Sequence, residues 1–190
     1  MAVNSASDFR LRDATPDDMD RVARIYGHYV ETTVYTFEEV PPTPDEMRGR
    51  LSQLRRSGLP WRVAEASHGA VIGYAYAGPF RARSAYRYTL ENSVYIAQDE
   101  ARRGVGLALM RDVIRLSAAA GYRQMMAVIG DSANEASIRL HTRLGFRMIG
   151  HEAAVGLKFG RWVDVVQMQL ALGDGDRTAP AADPIGYVRR

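Results

Sequence analysis

The sequence predicts an α+β domain built on a mixed sheet of six to seven strands with helices on both faces. Three observations carry this expectation. Short β-rich runs alternate with segments whose apolar residues recur at helical spacing; two proline-containing caps open helices early in the chain; and glycines close two later helices. The order read along the chain is β-α-α-β-β-β-α-β-α-β-β.

Phe9-Arg10-Leu11-Arg12 alternates apolar and basic residues and reads as a first strand. Thr15-Pro16-Asp17-Asp18 then supplies an N-cap, a proline for the first helical position and acidic residues for the helix start, predicting a helix to about Val30. Val34 to Pro44 ends in prolines and reads as a loop, and Thr43-Pro44-Asp45-Glu46 repeats the cap for a second helix reaching about Arg56. Trp61 to Ala66 and Val71 to Ala77 flank Ser67-His68-Gly69 as a hairpin, and Tyr86 to Ile96 is a third β-rich stretch. Val105, Leu109, Val113 and Leu116 lie at helical spacing in a segment closed by Gly121. Met125 to Ile129 is a short strand, Ser132 to Leu144 a helix ended by Gly145, and Phe146 to Leu172 holds two strands joined around Phe159-Gly160-Arg161. From Gly173 the chain is rich in Gly, Pro, Ala and Asp, which predicts one domain over residues 8–172 and a flexible tail over 173–190.

Composition narrows the classes. With 190 residues, 46% hydrophobic and 25% charged, the chain suits a single core. It has no cysteine, which excludes disulfides, thiolate metal sites and a cysteine nucleophile; no metal is expected. The first ten residues lack a basic start followed by an apolar run, and no stretch is long enough to span a membrane, so a cytoplasmic protein without a membrane partner is expected. The net charge of +3 is dispersed rather than clustered among aromatics, which argues against nucleic acid and is compatible with a polyanionic ligand.

The segment with the clearest chemistry is Arg102-Arg103-Gly104-Val105-Gly106-Leu107-Ala108, which follows a strand and opens a helix. Glycines let a backbone approach phosphate closely, and the free amides and positive end of the helix face the anion. It is not a Walker A loop, since no Gly-Lys-Ser/Thr ends it, nor a dinucleotide fingerprint, since Leu109 stands at the third glycine position. Alone, such a turn leaves phosphate binding and a plain tight connection both open.

Val94-Tyr95-Ile96 followed by Arg103-Gly104-Val105-Gly106-Leu107-Ala108 resembles the pyrophosphate motif of the GNAT acetyltransferase superfamily, with Ala101 where that motif usually carries Gln or Arg. Asn134 to Phe146 is similar to the superfamily's second cofactor-side helix, with Asn134 at the position that contacts the pantetheine arm. Residues 134 and 141 are two helical turns apart and share a face. Many members carry a tyrosine at the second position to protonate the departing thiolate; this chain has His141. Longer strings resemble the phosphinothricin and methionine sulfoximine N-acetyltransferases: Tyr76 to Arg83, Ala85-Tyr86, Glu91 before Ser93-Val94-Tyr95, Val128-Ile129-Gly130, and Gly156 to Trp162 followed by Asp164.

The resemblance implies the GNAT fold, a homodimer, and transfer of acetyl from acetyl-CoA to the α-amine of a small amino acid. Glu91 is the implied general base, directly or through water, and His141 the second catalytic group. The backbone of Val94, Tyr95 and Ile96 would pair with the pantetheine amides as an added strand, one of these N–H groups holding the thioester carbonyl oxygen, with Arg102, Arg103, Gly104, Val105, Gly106, Leu107 and Asn134 completing the cofactor site. Arg81 and Arg83 are implied carboxylate contacts, and Tyr35 and Phe37 pocket walls. Each has a plainer reading: Glu91 paired with Arg87 across strands, His141 packed in a helix, the arginines solvated, the aromatics anchoring a loop. Lys158, Arg161 and Trp162 receive no chemical role and read as dimer or pocket packing. Two other functions stay open, acetylation of a peptide N-terminus or another metabolite amine, and non-catalytic acetyl-CoA binding.

Overall fold

A computed structural model describes residues 8–187; residues 1–7 and 188–190, the latter closing the expected tail, lie outside the described residues. Seven strands and four α-helices form in the expected order: β1 (Phe9–Asp13), α1 (Met19–Thr32), α2 (Pro44–Arg56), β2 (Trp61–Ala66), β3 (Val71–Pro79), β4 (Thr89–Ile96), α3 (Val105–Ala119), β5 (Gln124–Gly130), α4 (Glu135–Arg143), β6 (Arg147–Lys158) and β7 (Arg161–Ala171). One sheet joins all seven strands in the order β1-β2-β3-β4-β5-β7-β6. Among the described residues only the β4–β5 pair is parallel.

The helix starts follow their caps. Thr43 accepts the Glu46 amide at 3.2 Å while the Glu46 carboxylate accepts the Thr43 amide at 2.6 Å, a reciprocal capping box ahead of Pro44. At α1 the Asp18 carboxylate accepts the Thr15 amide at 2.6 Å and both Arg12 guanidinium arms at 2.7 Å, tying β1 to the helix start. Met19, Val22, Ile25, Tyr26 and Val30 then bury one stripe of α1.

Strand alternation, reset on β3 by a register shift at Ile72, divides the core between two faces. Trp61, Val63 and Tyr74 pack with α1 and α2, whereas Ala64, Ile72 and Ala75 pack with Leu109, Met110 and Val113 of α3. Each fully buried Leu or Val contributes about 1.5–3 kcal/mol by removal from water, so both layers are needed.

Two elements depart from expectation. The β4 ladder begins at Thr89, because residues 84–86 form a 3-10 turn in which the Tyr86 and Arg87 amides bond back to the Arg83 and Ser84 carbonyls. Helix α4 starts at Glu135 rather than Ser132, because Asn134 caps it by accepting the Ser137 amide at 3.2 Å.

Residues 173–187 form no helix or strand. They are nevertheless held at several points: the Ile185 amide bonds the Ala120 carbonyl at 2.9 Å, and Arg87 pairs with Asp183 at 2.7 Å.

Candidate active site

The site begins at a fork in the sheet. β4 and β5 pair only at Thr89↔Gln124, Leu90↔Met125 and Glu91↔Met126, after which the strands diverge. β4 remains bonded to β3 through Ile96, and β5 to β7 through Gly130. Along β4 the odd-numbered residues face β3: the Thr89 carbonyl accepts from the Phe80 amide at 3.3 Å, and the Ala97 amide donates to Ile72 at 2.9 Å. Strand alternation therefore turns the backbone groups of Asn92, Val94 and Ile96 toward the fork. The Ile96 carbonyl accepts the Tyr29 hydroxyl at 2.7 Å.

The fork opens a cavity of about 750 Å³ bounded by residues 91–96 of β4, 127–130 of β5, the start of α3 and one face of α4. At the α3 end Gly104 is the N-cap in the left-handed region (φ 79°), and the first turn holds no acidic residue and no capping side chain. The first intrahelical bond runs from the Ala108 amide to the Gly104 carbonyl at 3.0 Å, leaving the Val105, Gly106 and Leu107 amides without helical acceptors. Gly106 leaves room beside Leu140 and Ile96, which lie 3.6 and 3.7 Å from the position a β-carbon would take. These free amides suit a pyrophosphate, and the unpaired edge of β4 suits an extended amide-bearing chain added as a strand.

Glu91 sits where the strands part and lines the cavity. Its carboxylate has no hydrogen bond or ion pair among the described residues, and Arg87, the plainer cross-strand candidate, pairs instead with Asp183. Burial pushes the Glu91 carboxyl above the usual range. Tyr76, which also faces the cavity, is held neutral because burial raises its hydroxyl. Glu38 is paired with Arg50, whose guanidinium grips both carboxylate oxygens at 2.8 and 3.0 Å. Glu91 is thus an unpaired carboxylate in a half-apolar setting, suited to accepting a proton.

His141 also borders the cavity, only 2% exposed. Its Nδ1 lies 2.8 Å from the Ser137 carbonyl and its Nε2 3.0 Å from Asn92 Oδ1. The Asn92 amide is oriented by its Nδ2, which donates to the Met126 carbonyl at 2.8 Å. Both ring nitrogens therefore face acceptors, and only the imidazolium donates to both. Burial opposes that cation and lowers the ring's pKa, while the Ser137 carbonyl opposes the lowering.

Of the residues expected in the site, Glu91, Val94, Tyr95, Ile96, Arg102, Gly104, Val105, Gly106, Leu107, Asn134, His141, Tyr35 and Phe37 all line the one cavity. Tyr95 does so with its ring, packed edge-on to Tyr26 and Tyr29, since its backbone faces β3. Arg103, Arg81 and Arg83 do not line it. Arg103 turns to Glu100 and Asp8. Arg81 lies over the Phe80 and Tyr86 rings, 4.9 and 5.5 Å from their centroids, in the turn after β3. Arg143, Asn92, Tyr26, Tyr29, Thr36 and Glu38 join the lining without having been singled out. Tyr26 and Tyr29 carry no distinguishing signal, because three-residue spacing also describes a core-facing stripe. Among the described residues no cluster of His, Cys, Asp and Glu suits a metal ion, and no helix is long and apolar enough to cross a membrane.

Comparison with known proteins gives the geometry its family. Residues 11–167 match the acetyltransferase (GNAT) domain family. The chain is 47% identical over 170 residues to phosphinothricin N-acetyltransferase of Alcaligenes faecalis, covering 90% of this chain and 86% of that protein. It is 39% identical to the L-methionine sulfoximine/L-methionine sulfone acetyltransferase of Pseudomonas aeruginosa, covering 90% of this chain and 98% of the relative. A crystal structure of a GNAT superfamily phosphinothricin acetyltransferase from Sinorhizobium meliloti in complex with acetyl-CoA superposes with a TM-score of 0.88 at 43% identity, covering 92% of this chain and 94% of the other. A forked mixed sheet, free amides at the α3 start and these relatives lead to one conclusion: the chain belongs to the GNAT acetyltransferase family and is an N-acetyltransferase.

Proposed function

We propose that the protein transfers acetyl from acetyl-CoA to the α-amine of a small amino acid such as phosphinothricin, methionine sulfoximine or methionine sulfone. The observation that carries this reading is the fork, where free helix-start amides, open β4 backbone and an unpaired, half-buried carboxylate meet in one cavity. Val105, Gly106 and Leu107 would hold the pyrophosphate by their amides, with Arg102, which has no ion pair among the described residues, and Arg103 adding positive charge. Val94 and Ile96 would pair with the pantetheine arm on the fork side, Tyr95 would supply a ring wall, and Asn134 would sit beside the arm at the α4 start. When bound, acetyl-CoA supplies a thioester whose acyl carbon takes the amine nitrogen as the carbon–sulfur bond breaks.

The chain's residues manage protons and position. Glu91 accepts the ammonium proton, directly or through water, and burial keeps its basicity above that of an exposed carboxylate. The Val94 amide is oriented to donate to a carbonyl oxygen that gains negative charge. His141 Nε2 stands 3.0 Å from Asn92 Oδ1, and in its protonated form the ring is placed to pass a proton to a leaving thiolate. Arg81 and Arg83 have no carboxylate partner among the described residues, which supports a role in holding the substrate carboxylate from the turn after β3. Tyr35 and Phe37 wall the amine side.

The proposal includes a cytoplasmic homodimer. Support for the dimer comes from Met148, Ile149, Val155, Leu157, Phe159 and Trp162, a set of exposed large apolar side chains on the last hairpin. Thiol release from acetyl-CoA, measured with each of these amino acids, tests the activity: acceleration by at least one is expected, and none with any would overturn it.

A further inference from the structure

Lys158 has no part in the site described above, yet its burial needs an explanation. It closes β6, is 2% exposed and does not line the cavity. Its Nζ donates to the Thr36 carbonyl at 2.8 Å and stands 5.1 Å from the Phe159 ring centroid. A buried ammonium costs several kcal/mol unless it is well partnered. Burial lowers its pKa, with Glu39 and Glu38 opposing the lowering.

What it holds is the amine-side wall. Tyr35, Thr36, Phe37 and Glu38 line the cavity from residues 33–43, a connection without helix or strand. Such a segment has no ladder of its own and must be fixed by outside partners. Tyr26 and Thr36 share a hydroxyl hydrogen bond of 2.7 Å, and Arg50 grips Glu38. Two glycines allow close approach: a β-carbon on Gly130 would lie 2.8 Å from the Val34 carbonyl oxygen, and one on Gly156 would collide with the Phe37 ring. Lys158 is the partner that holds the Thr36 backbone itself, from the same strand as Gly156.

We propose that Lys158 is a positioning residue for the amine pocket, fixing the Thr36 carbonyl so that Phe37 and Glu38 are held against the cavity and the last hairpin governs amine selectivity without touching substrate. This rests on reading the cavity as the site of amine acetylation. Lys158 acts only on the wall, so its loss leaves the α3 amides and the β4 edge intact.

The test combines kinetics with an activity-independent readout. Lys158→Met preserves much of the length and volume and removes the donor. KM for the amino acid is expected to rise at least tenfold, with the calorimetric affinity for acetyl-CoA within twofold of wild type. Chymotrypsin cleavage after Tyr35 or Phe37, both already half-exposed, is expected to accelerate at least tenfold. Gly156→Ala pushes the same wall from the other side and should give the same split between the two ligands, which guards against a folding defect peculiar to one variant. Unchanged cleavage in both variants overturns the positioning role, whatever the enzyme's substrate. Faster cleavage with an unchanged amine KM, or a parallel loss of both ligands, overturns the selectivity role. Inactivity of wild type on every amine refutes the proposed function and with it the selectivity role, while the cleavage rate still decides whether Lys158 fixes the wall.

Discussion

Replacing Glu91 by Gln separates chemistry from architecture. Gln matches the carboxylate in size, and the Glu91 carboxylate makes no hydrogen bond or ion pair among the described residues, so the change breaks no contact of that kind. Loss of a general base costs about 10²–10⁴ in rate, equivalent to about 2.7–5.4 kcal/mol of transition-state stabilisation. That loss is expected in kcat at saturating acetyl-CoA, measured by thiol release, with acetyl-CoA affinity by calorimetry unchanged. The pH profile adds a second check. Burial raises the Glu91 carboxyl, so wild-type activity rises with pH through an acid limb above the ordinary glutamate range, and in Glu91→Gln that limb disappears while the one belonging to the amine remains.

Stability should move in the opposite direction. A carboxyl that protonates more readily folded than unfolded penalises the fold when ionised. That penalty is absent below the unfolded pKa and grows as pH rises through the folded one. Glu91→Gln is therefore expected to be as stable as wild type or more so at pH 8 in urea unfolding. A kcat within threefold of wild type would refute the general-base assignment; a loss of stability above about 1 kcal/mol, the centre of ordinary point-mutant effects, would refute the claim that the carboxylate is structurally unpartnered.

Other expectations follow from the same geometry. Asp18→Asn breaks a half-buried pair with Arg12 and should destabilise by about 1–3 kcal/mol at pH 7, read by denaturant unfolding. Burial alone would raise the Asp18 carboxyl, but Arg12 and the Thr15 donors outweigh it and hold it low, so this stabilisation is complete above the unfolded pKa of about 3.9 and disappears as pH falls through the folded one. Asn92→Asp places a carboxylate beside His141 Nε2 and should raise the histidine's pKa by about 1–2 units in an NMR titration, whereas Asn92→Leu should not. Leu157→Arg puts a charge into the exposed apolar set on the last hairpin and should shift a dimer toward monomer in analytical ultracentrifugation without loss of acetyl-CoA binding.

Legibility followed locality. The cap at Thr43, the Gly104–Gly106 turn and the alternation along β2 and β3 are written in consecutive residues, and their elements form where those signals stand, while the cap at Thr15 opens a 3-10 turn over Pro16–Asp18 that leads into α1 at Met19. Insertion of β7 between β5 and β6 depends on contacts between distant segments, and nothing in either strand's own pattern states it. The fork is equally non-local, since β4 reads as a continuous β-rich run while its pairing with β5 stops at Glu91. Asn92 and His141 are 49 residues apart, and a polar residue after Glu91 gives no sign that it will orient a helix histidine. Arg103, Arg81 and Arg83 show the converse limit: the strings that contain them are readable, but where a long side chain turns is decided by neighbours such as Glu100 or the Phe80 ring.

The same fork bears on how the molecule moves. Between β4 and β5 the backbone is joined by three residue pairs, with the Asn92 side chain adding one tie to Met126 beyond them. Four strands lie on one side of this narrow joint and three on the other. A ligand seated along the open edge of β4 would act as a splint, extending the joint and damping relative motion of the two halves. Amide exchange at Val94 and Ile96 would then slow on ligand binding before any acetyl group has moved, so the sheet itself reports occupancy.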